Sequence, residues 1–275
     1  SGGNYNTVVG DEAGTALTTG DNNTALGYQA GDALTTPFGN VAIGDRALQA
    51  ETTGQRNTAV GSTALFSQNN TGDELTYNTA VGYQAGTSVS TGIRNTLIGS
   101  LAGDALTDAD HNVAVGYTSL GTDTQGSRST GLGWATLSQQ NFTSATDTYN
   151  VAVGYSAGSS ITTGLYNTLG GGLSGDALTV GGSNVAWGTS TLTNDTQGSK
   201  SIAIGMSALS TQNFSSATDT FNTAVGFEAG AFITTGIQNT LIGGLAGRAL
   251  TDADYNVAVG VGALDADTKG SKSTA

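Results

Sequence analysis

The sequence predicts an all-β fold, a parallel β-solenoid (a β-roll), and three observations carry that expectation. First, a five-residue unit, N-[TV]-x-[apolar]-G in its commonest form, starts at Asn6, Asn23, Asn40, Asn57, Asn78, Asn95, Asn112, Ser129, Asn150, Asn167, Asn184, Ser201, Asn222, Asn239 and Asn256. Second, the steps run 17, 17, 17, 21, and this group of 72 residues recurs, mapping Asn57 onto Ser129 and Ser201. Third, the fifth position is glycine in every copy: Gly10, Gly27, Gly44, Gly61, Gly82, Gly99, Gly116, Gly133, Gly154, Gly171, Gly188, Gly205, Gly226, Gly243 and Gly260. A period of 17 is too short for a helical hairpin and too long for a heptad, but suits one solenoid turn of two short strands and two corners.

Taken in order along the coil, the Asn column comes first. Like side chains stacked at one point of successive coils can hydrogen-bond along the stack as a ladder. The alternative is that each Asn shapes only its own turn. The N-T-A-V stretch follows as the first strand. Its fourth position is apolar (Val9, Leu26, Ile43, Val60, Val81, Ile98, Val115) and is expected inside the roll. Its third position is small or apolar (Val8, Ala25, Ala42, Ala59, Ala80, Leu97, Ala114, Gly131, Ala152) and is expected outside, against another chain. A strand apolar on both faces is ordinarily covered on both. The A-L-T-T stretch, as in Ala16–Thr19, reads as the second strand, with glycine at both corners. Fifteen coils at ~4.8 Å each would make a rod on the order of 75 Å. Residues 1–275 read as one continuous shaft segment with no room for a separate domain, and as a slice of a longer fibre.

Composition narrows the function. Of 275 residues 43 are Gly and one is Pro, without a G-X-Y period, which excludes collagen. The net charge of −13, with eight scattered basic residues, argues against nucleic acid. The absence of Cys excludes disulfides and thiolate metal sites. No apolar run reaches the ~18 residues of a membrane span, so no membrane insertion is expected.

Units such as NTAVGYQAG (78–86), NTLIGSLAG (95–103) and NVAVGVGAL (256–264) resemble the heads of trimeric autotransporter adhesins and, more closely, the β-roll repeat regions of tailed-phage fibre proteins and related bacterial surface proteins. The resemblance covers essentially the whole chain. It implies a left-handed parallel roll, three chains side by side, and a rod projecting from a cell or virion. Adhesin heads use shorter coils than the 17-residue step here.

Catalytic constellations are absent. The single His111 corresponds to Tyr255 144 residues on, and "LGGGLSG" (169–175) lacks the Lys of a phosphate loop. No enzyme activity and no cofactor are expected. Glu51, Asp123, Asp195 and Asp267 are each followed five positions later by Arg56, Arg128, Lys200 and Lys272, which suggests a local ion pair or an inter-chain contact fixing register, with a binding stripe along the rod as the alternative. Asp108 and Asp110, with Asp252 and Asp254, form two "TDAD" copies, weak candidates for Ca²⁺, which takes six to eight oxygens; the intervening copy reads "TVGG". The 21-residue coils carry Phe66 and Tyr77, Phe142 and Tyr149, Phe214 and Phe221, candidates for glycan or partner contact, or gap-filling under their own loops.

The expected role is a structural shaft of a phage or bacterial surface appendage, an extracellular filament or virion fibre. Its main partner is itself, laterally as a homotrimer and end to end, with cell-surface glycan as a second partner. An ice- or glycan-binding adhesive solenoid is the alternative, suggested by recurrent "TTG" at 18–20, 52–54, 162–164 and 234–236. A polysaccharide depolymerase would need a non-repeating cluster of acids.

Overall fold

The computed structural model describes residues 3–72 and 75–275. The chain divides into two compact units, Ser1–Trp134 with Asn141–Asp147, and Ala135–Gln140 with Thr148–Ala275. Each is a parallel β-solenoid, and no helix occurs among the described residues. The first contributes the strands Thr7–Val9, Thr24–Leu26, Val41–Ile43, Thr58–Val60, Thr79–Val81, Thr96–Ile98, Val113–Val115 and Thr130–Leu132. The second contributes Val151–Val153, Thr168–Gly170, Val185–Trp187, Ile202–Ile204, Thr223–Val225, Thr240–Ile242 and Val257–Val259.

Register follows the repeat. Ala25 pairs with Ala42 and Ala42 with Ala59, in parallel. Across the long coils Thr58 still pairs with Thr79 and Ile202 with Thr223, so the four extra residues leave the ladder undisturbed. Each strand ends at the fifth-position glycine. At Gly99 φ is +129°, and an added Cβ would sit 2.6 Å from the Gly116 oxygen one coil on. Only glycine meets both demands.

The sequence-predicted second strand is not one. Residues 16–19 form turns and bends. Positive φ at Glu12 and Gly14 (+55° and +53°) curls the chain before it can extend. Its N–H groups nonetheless reach the next coil, Ala16 to Asp32 O at 3.1 Å and Thr18 to Thr35 O at 2.9 Å. Among the described residues, two-residue strand pairs on this side lie beside the long coils, at Gly126–Ser127 with Thr146–Asp147 and at Gly198–Ser199 with Thr218–Asp219, and single bridges join Asp21 to Phe38 and Gln55 to Leu75.

The two faces of the sheet are also the reverse of expectation. The third position is inside: Ala42, Ala59, Ala80, Ala152, Ala224 and Leu241 are fully buried. The fourth is outside, with Leu26 45% and Trp187 53% exposed. The roll is too thin to hold large side chains at every third position. Where Leu97 takes that place, Gly86 of the preceding coil and Gly103 of its own coil make room, and a Cβ on either would lie 2.6–2.7 Å from a Leu97 methyl.

Two coil types fill the remaining core. In one, glycine stands eight residues after the ladder position and an aliphatic residue eleven after, as in Gly86/Val89, Gly103/Leu106 and Gly158/Ile161. In the other, leucine stands at eight and an acid or Gln at eleven: Leu48/Glu51, Leu65/Gln68, Leu192/Asp195 and Leu209/Gln212. Leu48 and Leu65 adopt φ of +51° and +47°, an uncommon conformation for leucine. Their buried side chains replace the aliphatic residue that the polar one displaces.

Candidate functional site

The Asn column is buried and bonded in both directions. The Oδ1 of each Asn accepts the backbone N–H of the next ladder residue: Asn6 from Asn23 at 2.8 Å, Asn78 from Asn95 at 2.8 Å, Asn222 from Asn239 at 2.9 Å. Its Nδ2 donates to a carbonyl 14 residues on, as Asn78 to Gly92 and Asn150 to Gly164, both at 2.7 Å. Amide-to-amide bonds are longer, 3.3 Å from Asn95 to Asn78. The rungs therefore run chiefly from backbone to side chain. Ser129 and Ser201 open the 21-residue coils, where the looped chain changes the surroundings of the +14 carbonyl. Asn57, which opens the first such coil, has an Nδ2 without a partner. At Ser201 the hydroxyl instead meets Gln212 Nε2 at 2.9 Å and Thr220 Oγ1 at 2.6 Å.

The periodic acids do not pair with the bases five residues on. Glu51, Asp123 and Asp195 are fully buried. Glu51 accepts the N–H of Gly54 at 2.7 Å and of Thr52 at 2.9 Å, and Gln68 Nε2 at 2.9 Å. Asp195 accepts Gly198 N–H at 3.0 Å and Gln212 Nε2 at 2.6 Å. Each Gln Oε1 accepts from an Asn Nδ2, Gln68 from Asn78, Gln140 from Asn150 and Gln212 from Asn222, all at 2.9 Å. The bases point outward, where Arg128 pairs with Asp147 at 2.8 Å and Lys200 with Asp219 at 2.6 Å. Backbone donors and a neutral amide satisfy the carboxylates in place of a cation.

Of the long-coil aromatics, Phe142 and Phe214 are buried, 8% and 7% exposed. Phe66 is half-buried under the Arg46 guanidinium. Tyr77, Tyr149 and Phe221 are exposed and belong to a surface column immediately before the ladder position. In the first unit this column includes Arg56, Tyr77, Arg94, His111 and Arg128, and in the second Tyr149, Tyr166, Ser183, Lys200, Phe221, Gln238, Tyr255 and Lys272. Its members interact along the stack. Arg56 donates to Tyr77 Oη at 2.9 Å, Arg94 and His111 meet at 3.3 Å, Tyr149 stacks on Tyr166 at 6.0 Å, and Lys200 lies 5.2 Å from the Phe221 ring centre. This column was missed by sequence reasoning, although four of eight Lys and Arg residues directly precede one of the fifteen ladder positions and Lys272 precedes Ser273, whose N–H continues the ladder to Asn256 Oδ1.

The "TDAD" carboxylates act within the coil stack. Asp110 Oδ1 accepts Ile93 N–H and Asp254 Oδ1 accepts Ile237 N–H, both at 2.8 Å. Asp108 and Asp252 accept their neighbouring Thr hydroxyls. The Thr251 hydroxyl, with the Asp252 N–H and Lys269, holds the Asp252 carboxyl below the ordinary range. Among the described residues no three His, Cys, Asp or Glu side chains are grouped to hold a metal ion. Hydroxyls of the Thr row also turn to the next coil, Thr18 to Thr35 O at 3.1 Å and Thr162 to Thr179 O at 3.2 Å.

In each unit the outer face of the sheet carries apolar side chains. Leu26, Ile98, Trp187, Ile204 and Ile242 are exposed at the fourth position, and Tyr28, Tyr83, Tyr117, Trp134, Tyr155, Met206 and Phe227 at the sixth. Tyr117 and Trp134 stack at 6.5 Å. Gly170 leaves space for the Trp187 indole. No protein-family model and no curated protein matches this chain.

Proposed function

We propose that this chain is the shaft of an extracellular fibre, a phage or bacterial surface appendage that supports attachment to a host or surface, and that it works as a parallel homotrimer. The observation that carries the reading is the outward apolar row at the fourth position. Leu26 and Ile98 in the first unit, and Ile204 and Ile242 in the second, stand half-exposed at that position, and soluble monomers rarely expose large apolar patches. Identical chains side by side present the same rise and the same row, so their rows meet in register around a threefold axis. The mechanical role rests on inter-coil bonding: ladder amides, buried acid–Gln pairs and backbone bonds all link one coil to the next, as in other solenoids.

Substitution of Ile98 and Ile242 by Asp tests the assignment of the face. Charges there should dissociate the assembly while the circular dichroism of the roll is retained. Unchanged assembly in the folded double variant would exclude this face.

A further inference from the structure

One break in the repeat leaves a backbone donor open. In the second and fourth super-repeats Asp110 and Asp254 accept the N–H of Ile93 and Ile237 at 2.8 Å, and in the first the equivalent donor, Asp21 N–H, bonds the Pro37 carbonyl at 3.2 Å. The residue corresponding to Asp110 in the third is Gly182, whose N–H still bonds Ser199 Oγ at 3.0 Å, as Asp110 bonds Ser127 and Asp254 bonds Ser271. No carboxylate reaches Leu165 N–H, which has no acceptor among the described residues. The position is an open notch of about 260 Å³ on the second unit. Tyr166 lines it, with Tyr149 stacked on the ring and only Ser183 at the next place in the column. The Lys200–Asp219 ion pair and Val180 complete it; Val180 replaces the exposed Asp of the sister copies.

We infer that this notch binds one ring of a neutral saccharide. The negative face of Tyr166 suits the C–H face of a pyranose. A ring or hydroxyl oxygen takes the unfilled place of the Asp Oδ1 at Leu165 N–H. Lys200 and Asp219 offer a donor and an acceptor side by side to vicinal hydroxyls, the few convergent polar groups that fix a ligand in a mostly apolar site. An anionic sugar is disfavoured by Asp219 and by the net charge of −13. The inference does not depend on the fibre assignment, since every group involved lies in one chain.

Amide NMR of the full chain, titrated separately with glucose, galactose, mannose and N-acetylglucosamine, tests it, with glucuronate as the anionic comparison. A saturable shift of the Leu165 amide with at least one neutral sugar is expected, without a matching shift at Ile93 or Ile237. Gly182→Asp, which restores the sister residue at a φ outside the left-handed region, should weaken binding at least about tenfold. Tyr166→Ala, at a surface position occupied by Arg94 and Gln238 in the sister repeats, should do the same. No saturable Leu165 shift with any of the four sugars, a shift with glucuronate alone, or unchanged affinity in either folded variant would overturn the inference.

Discussion

Asn95 donates its backbone N–H to Asn78 Oδ1 at 2.8 Å, and one coil later Asn112 donates to Asn95 Oδ1 at 2.9 Å. Asn95 Nδ2 also reaches the Ala109 carbonyl at 2.8 Å. Asn95→Ala therefore strips a donor and an acceptor of their partners inside the roll. A loss of about 2–6 kcal/mol is expected in chemical denaturation, at roughly 1–3 kcal/mol per buried unsatisfied group. Asn57→Ser removes an amide nitrogen that has no partner but also the Oδ1 that accepts Asn78 N–H and the Thr76 hydroxyl; it should stay within about 1 kcal/mol of wild type because in the sister coil Ser201 meets the Thr220 hydroxyl at 2.6 Å and that hydroxyl takes Asn222 N–H at 3.4 Å.

The fifth-position glycines separate conformation from mere repetition. Gly99→Ala combines φ of +129° with a 2.6 Å approach to the Gly116 oxygen, and should cost about 3 kcal/mol or more. Gly244→Ala, whose nearest neighbour lies at 4.0 Å, should change stability by no more than about 0.5 kcal/mol. Thermal unfolding of the two variants side by side reads the difference.

Asp195 and Gln212 are coupled in the core. Gln212→Leu leaves a buried carboxylate short of a donor and Asn222 Nδ2 short of an acceptor, and should destabilise by about 3–5 kcal/mol. The double variant with Asp195→Leu should lose less than the sum of the two singles, by about 0.5–3 kcal/mol in a double-mutant cycle. Strict additivity would show that the pair is independent.

Asp104 gives a pH dependence of opposite sign to a bonded surface carboxylate. Burial raises its carboxyl above the ordinary 3.8, and its Oδ1 has no hydrogen-bond partner. The folded state thus holds that proton more tightly than the unfolded chain, and the associated stability, complete below 3.8, is lost as pH rises through the raised value. Asp104→Asn should raise Tm at neutral pH, with the gain vanishing as the pH falls below 3.8. An equal gain at all pH values would assign the effect to something other than ionisation.

The period, the register and the glycine corners were legible in the sequence because one backbone constraint repeats in every coil. The direction of the strand faces was not. Ala59 and Val60 are both apolar, so alternation alone could not say which points inward, and the narrow bore of the roll decides for the methyl. The Ala16–Thr19 segment misled because its β-branched residues favour strand, while positive φ at Glu12 and Gly14 bends the chain. The acid–base spacing of Asp195 and Lys200 suggested a pair, but the acid faces in and the base out. Leu65 and Gln68 hid a core exchange visible only beside Gly86 and Val89.

The mass of the assembled chain in solution, by native mass spectrometry with light scattering, tests the shaft assignment most directly. Three chains of 27.2 kDa are expected, associated through the row that includes Leu26, Ile98 and Ile242. A folded monomer at micromolar concentration, with that apolar row left in water, would contradict it.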